Sequence, residues 1–195
     1  MKNTSLTVEQ QVTSLGTMIK ATANGVTESS LPSVAGKPSK TVTKYKAGKG
    51  ADLQGRNGNL IDINDLKKVG VTNFENGNRL PAGKYFLCTG IRLLFDDTAL
   101  VTPQTAKWKS EAPANWKNGE IIISQSGTGK LAEFPVTDLS NWKASTGNDA
   151  DFRECEFLLR PEAEFEFLSV LPNAAGEEVY RIELRGYEYT DSSRN

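Results

Sequence analysis

The string Ser124-Gln-Ser-Gly-Thr-Gly-Lys130 invites reading as a phosphate-binding loop. Such a loop needs a glycine five residues before its second glycine, and a Ser or Thr after the lysine to hold Mg²⁺. Ser124 stands at the first of these positions and Leu131 at the last, so the spacing fails. The segment reads instead as a glycine hairpin between strands at 119–124 and 130–136. The chain has no histidine, which removes the Ser-His-Asp triad and the usual zinc sites. Carboxylates are plentiful enough to supply a pair for glycoside hydrolysis. However, Glu162, Glu164 and Glu166 alternate with Ala163, Phe165 and Phe167, which puts the acids on the wet face of a strand. Asn148, Asp149 and Asp151 offer oxygen donors for calcium but lack the ligand count and the glycine of a calcium loop. The expectation is a chain with no catalytic, cofactor or metal site, and not an enzyme.

The tryptophans are the residues left for binding. Trp108, Trp116 and Trp142 each sit beside lysine in loop-like sequence, and each is a candidate interface or ligand contact. An exposed indole stacks on a sugar ring or anchors a protein partner. The competing reading is a lid over the end of a sandwich, with lysine stems alongside. Cys88 lies in the apolar run 85–88 and Cys155 shares a strand face with Arg153, Phe157 and Leu159, and both read as small buried hydrophobes; two cysteines leave a single disulfide open and do not make a framework.

The elements that would carry these residues are strands. Tyr180, Ile182 and Leu184 alternate with Arg181, Glu183 and Arg185, as Phe165 and Phe167 do with their glutamates. A sheet with one dry face must bury it against another layer. Residues 84–95 form the longest apolar β-rich run, and Gly90 within it marks a bulge or bend. Residues 60–66 read as a short strand, with or without a helical turn at its end, and 98–118 read as a long loop. Strand signals recur every 12 to 20 residues or so with almost no helix, which gives an all-β jelly-roll sandwich of about eight antiparallel strands.

At 195 residues the chain suits one domain and an appendage. Residues 1–50 carry seven lysines against Glu9 and Glu28, a net +5 in a chain whose total is −1. This segment has no aromatic residue before Tyr45 and is rich in Ser, Thr, Gly and Ala. It reads as an extended, mostly irregular, flexible arm over 1–55, with the jelly-roll domain at 56–195. Within the arm, Thr7 and Gln10 have capping-box spacing, and Val8, Val12, Leu15 and Ile19 make one stripe at helical spacing. This is a candidate assembly helix. No run reaches the roughly 18 apolar residues of a membrane span, and the N-terminus lacks the pattern of a secretory signal.

The order of parts over residues 60–190 resembles the single jelly-roll capsid proteins of icosahedral tailless bacteriophages. The residues that carry the resemblance are Asn78-Arg-Leu-Pro-Ala-Gly-Lys84 leading into Thr89-Gly-Ile-Arg-Leu93, the 119–136 hairpin, Leu158-Leu-Arg-Pro161, and Arg181-Ile-Glu-Leu-Arg-Gly-Tyr187 as last strand. The resemblance implies a structural protein of the virion, assembled in the host cytoplasm. Its partners would be copies of itself and other capsid proteins. The arm would order on neighbouring subunits, with weak interior contact to nucleic acid or an internal membrane. No small-molecule substrate and no cofactor are expected. The alternative is a carbohydrate- or receptor-binding module that uses the loop tryptophans.

Overall fold

A computed structural model of the chain describes residues 39–53, 55–140 and 152–190. The strands are β1 (Ser39–Lys49), β2 (Asn57–Asn59), β3 (Leu66–Lys68), β4 (Thr72–Asn76), β5 (Lys84–Asp96), β6 (Glu120–Gln125), β7 (Gly129–Pro135), β8 (Arg153–Leu159), β9 (Phe165–Val170) and β10 (Val179–Thr190). One helical turn, α1 (Val136–Leu139), follows β7, and Ser140 Oγ closes it by donating to the Val136 carbonyl at 2.8 Å. The strands form a six-stranded sheet, β3-β4-β1-β10-β5-β8, and a four-stranded sheet, β2-β9-β6-β7.

The pairing is nested. β1 pairs with β10, β2 with β9, β5 with β8 and β6 with β7, all antiparallel. The chain thus behaves as one long hairpin, with its turn between β6 and β7, rolled over on itself. That nesting is a jelly roll. The hairpin β3–β4 is an insertion between β2 and β5 that widens the larger sheet past β1.

Alternation places the core. Phe165 and Phe167 on β9 are fully buried, while Glu166 between them is exposed. They face Tyr180, Ile182 and Leu184 on β10 within one apolar cluster between the sheets. Phe74 joins them, with ring centroids 5.3 Å from Phe165 and 6.2 Å from Phe167. On β5 the inward set changes parity, from Phe86 and Cys88 to Ile91, Leu93 and Phe95. The register explains it: Arg185 and Gly186 on β10 oppose Gly90 and Cys88, so Thr89 is an extra residue, a bulge beside the glycine. Gly186 is sterically required there, because a Cβ would lie 1.9 Å from the Leu87 carbonyl oxygen.

Two expectations are corrected. Residues 39–49, read as arm, are a strand flanked on both sides in the larger sheet, so the boundary at residue 55 is wrong. Apolar content misled because β1 is held chiefly by its eleven-residue ladder with β10. Its inward Lys44 and Lys46, each 7% exposed, lay their stems inward and pair with Glu188 at 2.6 Å and with Asp65, respectively. Residues 60–65 are a turn and not a strand. Asp62 Oδ1 accepts the Asn64 N–H at 2.8 Å and Asp65 Oδ2 accepts the Asp62 N–H at 2.7 Å, while Leu60 and Ile61 enter the core. The stripe Val8, Val12, Leu15 and Ile19, the loop with Trp142, and Asn148, Asp149 and Asp151 lie outside the described residues.

Candidate functional site

The loop between β5 and β6 decides what two of the tryptophans do. Asp96, 1% exposed, holds its start: Oδ1 accepts the Thr98 N–H at 2.9 Å and Oδ2 the Lys107 N–H at 2.6 Å. The Thr98 hydroxyl and backbone, with the Lys107 amide, hold its carboxyl below the usual aspartate range. Lys109 bridges back to Phe95, and the chain then dives into the sandwich. Trp116 is fully buried, with its ring 5.0 Å from Phe95 and 5.6 Å from Tyr180. Its indole N–H donates to Glu178 Oε1, which also accepts from Asn115 Nδ2 at 2.9 Å and the Gly176 N–H at 2.9 Å. Trp116 is therefore a lid, and the reading of it as a ligand or interface contact is corrected. The neighbouring cleft, about 240 Å³ and lined by Phe95, Asp97, Lys109, Glu111, Ala112 and Lys117, falls below the roughly 300–1,000 Å³ of small-molecule sites.

Trp108 lies half-buried on the outer face of the six-stranded sheet, where it meets a cluster that the sequence reading did not assemble. Tyr45, Glu183 and Arg92 stand in one row across β1, β10 and β5. Arg92 Nε donates to Glu183 Oε2 at 2.7 Å, and Arg181 Nε lies 2.6 Å from Oε1. The Arg181 contact is an ion pair and not a hydrogen bond, since its N–H is not aimed at the oxygen. The Arg181 guanidinium sits 4.0 Å over the Tyr45 ring and 5.8 Å from Trp108. Arg92 and Arg185 approach the Phe152 ring at 4.4 and 5.0 Å. Each such contact contributes about 0.5–2 kcal/mol. Glu183, 4% exposed, is held between the Arg92 and Arg181 guanidiniums. The signal was present in the alternation Arg181, Glu183, Arg185; what was missing was the register that sets Arg92 and Tyr45 beside it.

Farther along the same face, Tyr85, Leu87 and Tyr189 form a second small apolar cluster with Leu158 and Tyr187. The Tyr189 hydroxyl is buried without a hydrogen-bond partner among the described residues, and burial pushes its pKa up to about 12.

The other chemistry-bearing candidates separate. The 126–128 turn is a hairpin with Gly127 and Gly129 at φ 79° and 82°, and Lys130 pairs with Glu133. Glu164 pairs with Arg79, Glu162 is exposed, and Glu166 accepts from Ser124 Oγ at 3.5 Å. Among the described residues no group of three or more acids or cysteines could hold a metal ion. Cys88 and Cys155 are free thiols with sulfurs 3.6 Å apart, and burial pushes the Cys88 pKa well up. Among the described residues no helix is long and apolar enough to cross a membrane.

Among the described residues the exposed large aliphatic side chains are Ile63, Leu66, Val69 and Leu100. Leu66 and Val69, on the β3–β4 hairpin, are 79% and 90% exposed, and Leu100 is 99% exposed. The 98–109 loop reaches this hairpin, since a Cβ on Gly70 would lie 3.2 Å from Gln104 Cγ. Leu100 sits at φ 62° in a turn closed by a bond of 3.3 Å from the Val101 N–H to the Thr98 carbonyl. Side chains other than glycine reach that conformation at a cost of about 1–3 kcal/mol. No known protein-family model and no curated protein sequence matches this chain. What defines it is its fold: a jelly-roll sandwich with an inserted hairpin and an arginine–aromatic outer face.

Proposed function

We propose that this chain is a structural protein, a jelly-roll subunit that assembles with copies of itself into a viral shell and catalyses no reaction. The observation that carries the reading is the exposed aliphatic surface of Leu66 and Val69 on the β3–β4 hairpin, of Ile63 just before it and of Leu100 on the loop that reaches it. Association is the ordinary use of surface that gains nothing inside its own chain. The nested strand order supports it, because it is the order expected from the resemblance to tailless-phage capsid proteins. Residues 1–38 would contribute the stripe Val8, Val12, Leu15 and Ile19 to neighbouring subunits, and the virion would be where the protein acts. The alternative of a carbohydrate- or receptor-binding module loses Trp116 to the core and leaves Trp108 partly covered by Arg181. Light scattering and negative-stain images of the full chain over a concentration series test the proposal. Regular closed particles support it, and a chain that stays monomeric at high concentration refutes it.

A further inference from the structure

The exposed edge has a counterpart on the opposite sheet. The β3–β4 hairpin presents Leu66 and Val69 together with the exposed Lys67 and Lys68, and the adjoining loop adds Leu100 and the exposed Lys107. This tip is apolar and mainly basic, with Glu75 on β4 near Lys67 and paired to Lys84 at 2.8 Å.

The outer face of the four-stranded sheet is mainly acidic, and its Lys130 is paired to Glu133. Ile122 lies in one row with Leu168 on β9 and Glu133 on β7. The next row holds Glu120, Val170 and Pro135, and the one on the other side Ser124, Glu166 and Lys130. Ile122, Leu168 and Val170 are half-buried, whereas Glu120, Glu133 and Glu166 are exposed around them. An apolar centre inside a charged rim is the anatomy of a protein interface.

We propose that the tip of one copy seats on this sheet face of a second copy, with Leu100 and Val69 against Leu168, Ile122 and Val170. Lys67 and Lys68 then fall among Glu120, Glu133 and Glu166. The occupant is a second copy because one chain carries both halves of the match, in charge and in apolar surface. The strained turn at Leu100 adds a reason. Its backbone conformation suits glycine, and the side chain that it displays is 99% exposed, so burial does not offset the strain. Tip and face are different patches, so the contact is heterologous, and repeated contacts lead to rings or extended arrays. This inference rests on the self-assembly reading and names the surfaces that perform it.

The experiment uses the full chain, with light scattering and negative-stain images at low and high salt. Leu100→Asp combined with Val69→Asp, and separately Leu168→Glu, should each abolish assembly and leave the melting temperature within a few degrees of wild type. Lys67→Glu with Lys68→Glu should do the same without touching an apolar residue. Wild-type assembly should weaken as salt rises, as expected for screened lysine–glutamate contacts. An equimolar mixture of the tip variant and the Leu168→Glu variant retains one intact tip and one intact face, and should give a discrete one-to-one dimer. If wild type assembles and the tip variants assemble equally well, or the mixture stays monomeric, the docking is overturned and the shell reading stands. A wild-type chain that never assembles overturns both.

Discussion

Glu178→Ala should destabilise the fold far more than loss of a surface carboxylate normally does. The buried indole N–H of Trp116 and the Asn115 amide both donate to Glu178 Oε1, the latter at 2.9 Å, and the Gly176 N–H donates to it as well. Hydrogen bonds to a charged acceptor contribute roughly 1.5–3 kcal/mol, and an orphaned buried donor costs about 1–3 kcal/mol. Asn115 and Gly176 are open enough for water to replace much of their share. The indole is fully buried, so its share is not recovered. The net cost is therefore about 2–4 kcal/mol, or roughly 4–16 °C in melting temperature for a chain of this length. Glu178→Gln keeps an acceptor and loses the charge, and should cost about 1 kcal/mol. Urea unfolding followed by circular dichroism measures these values at constant slope. In a Trp116→Phe background no indole N–H remains to be orphaned, so Glu178→Ala should cost about 1–2 kcal/mol less than in wild type. A coupling near zero would refute the account of Trp116 as a lid pinned by Glu178.

Phe167→Ala should cost about 3–5 kcal/mol in urea unfolding, while Glu166→Gln on the same strand stays within about 0.5 kcal/mol; equal costs would refute the facing of β9. Leu100→Gly removes the strain at φ 62° and should leave stability unchanged or raised by up to about 1 kcal/mol by calorimetry, where burial-type loss would contradict its exposure. Asp96 contributes stability above the unfolded aspartate pKa of about 3.9, because its folded value is depressed. That contribution is lost as pH falls through the lower, folded value, so in acid titrations Asp96→Asn should flatten part of the loss of stability below pH ~4. Cys88 should resist alkylation at pH 8 in the folded chain, since burial raises its pKa, and mass spectrometry should find Cys155 modified first.

The strands that were readable are those whose two faces meet different surroundings. β9 and β10 alternate because one side meets the other sheet and the opposite side does not, and the sequence records that difference at every second residue. The bulge in β5 was visible at Gly90 because a glycine inside a strand run packs no side chain and marks a bulge or bend. β1 was not readable, since its order comes from backbone pairing with β10 and its inward positions include lysines whose partners, Asp65 and Glu188, are distant in sequence. The β3–β4 hairpin escaped for lack of alternation, with three exposed residues in β3. Trp116 and Trp108 stand in near-identical lysine-flanked sequence and take opposite roles. The difference lies in Glu178 and Arg181, which only the fold brings to them.

The arginine–aromatic face bears on how such a subunit could associate. β10 is flanked by β1 and β5, so its outer side chains have neighbours on both sides. Glu183 is nearly inaccessible although no second sheet covers it, because Arg92, Arg181, Tyr45 and the loop carrying Trp108 close over it. This face is thus already occupied by its own chain. Among the described residues the four-stranded sheet has no such cover, and its Ile122, Leu168 and Val170 keep part of their surface open beside exposed glutamates. The larger sheet covers its outer face around Glu183 with its own side chains, whereas the smaller sheet keeps apolar surface open beside exposed glutamates. The lysines of β3 lie at the edge of the larger sheet, and the loop that carries Leu100 reaches the same hairpin through Gln104, the place from which a rigid sandwich can reach the open face of another copy.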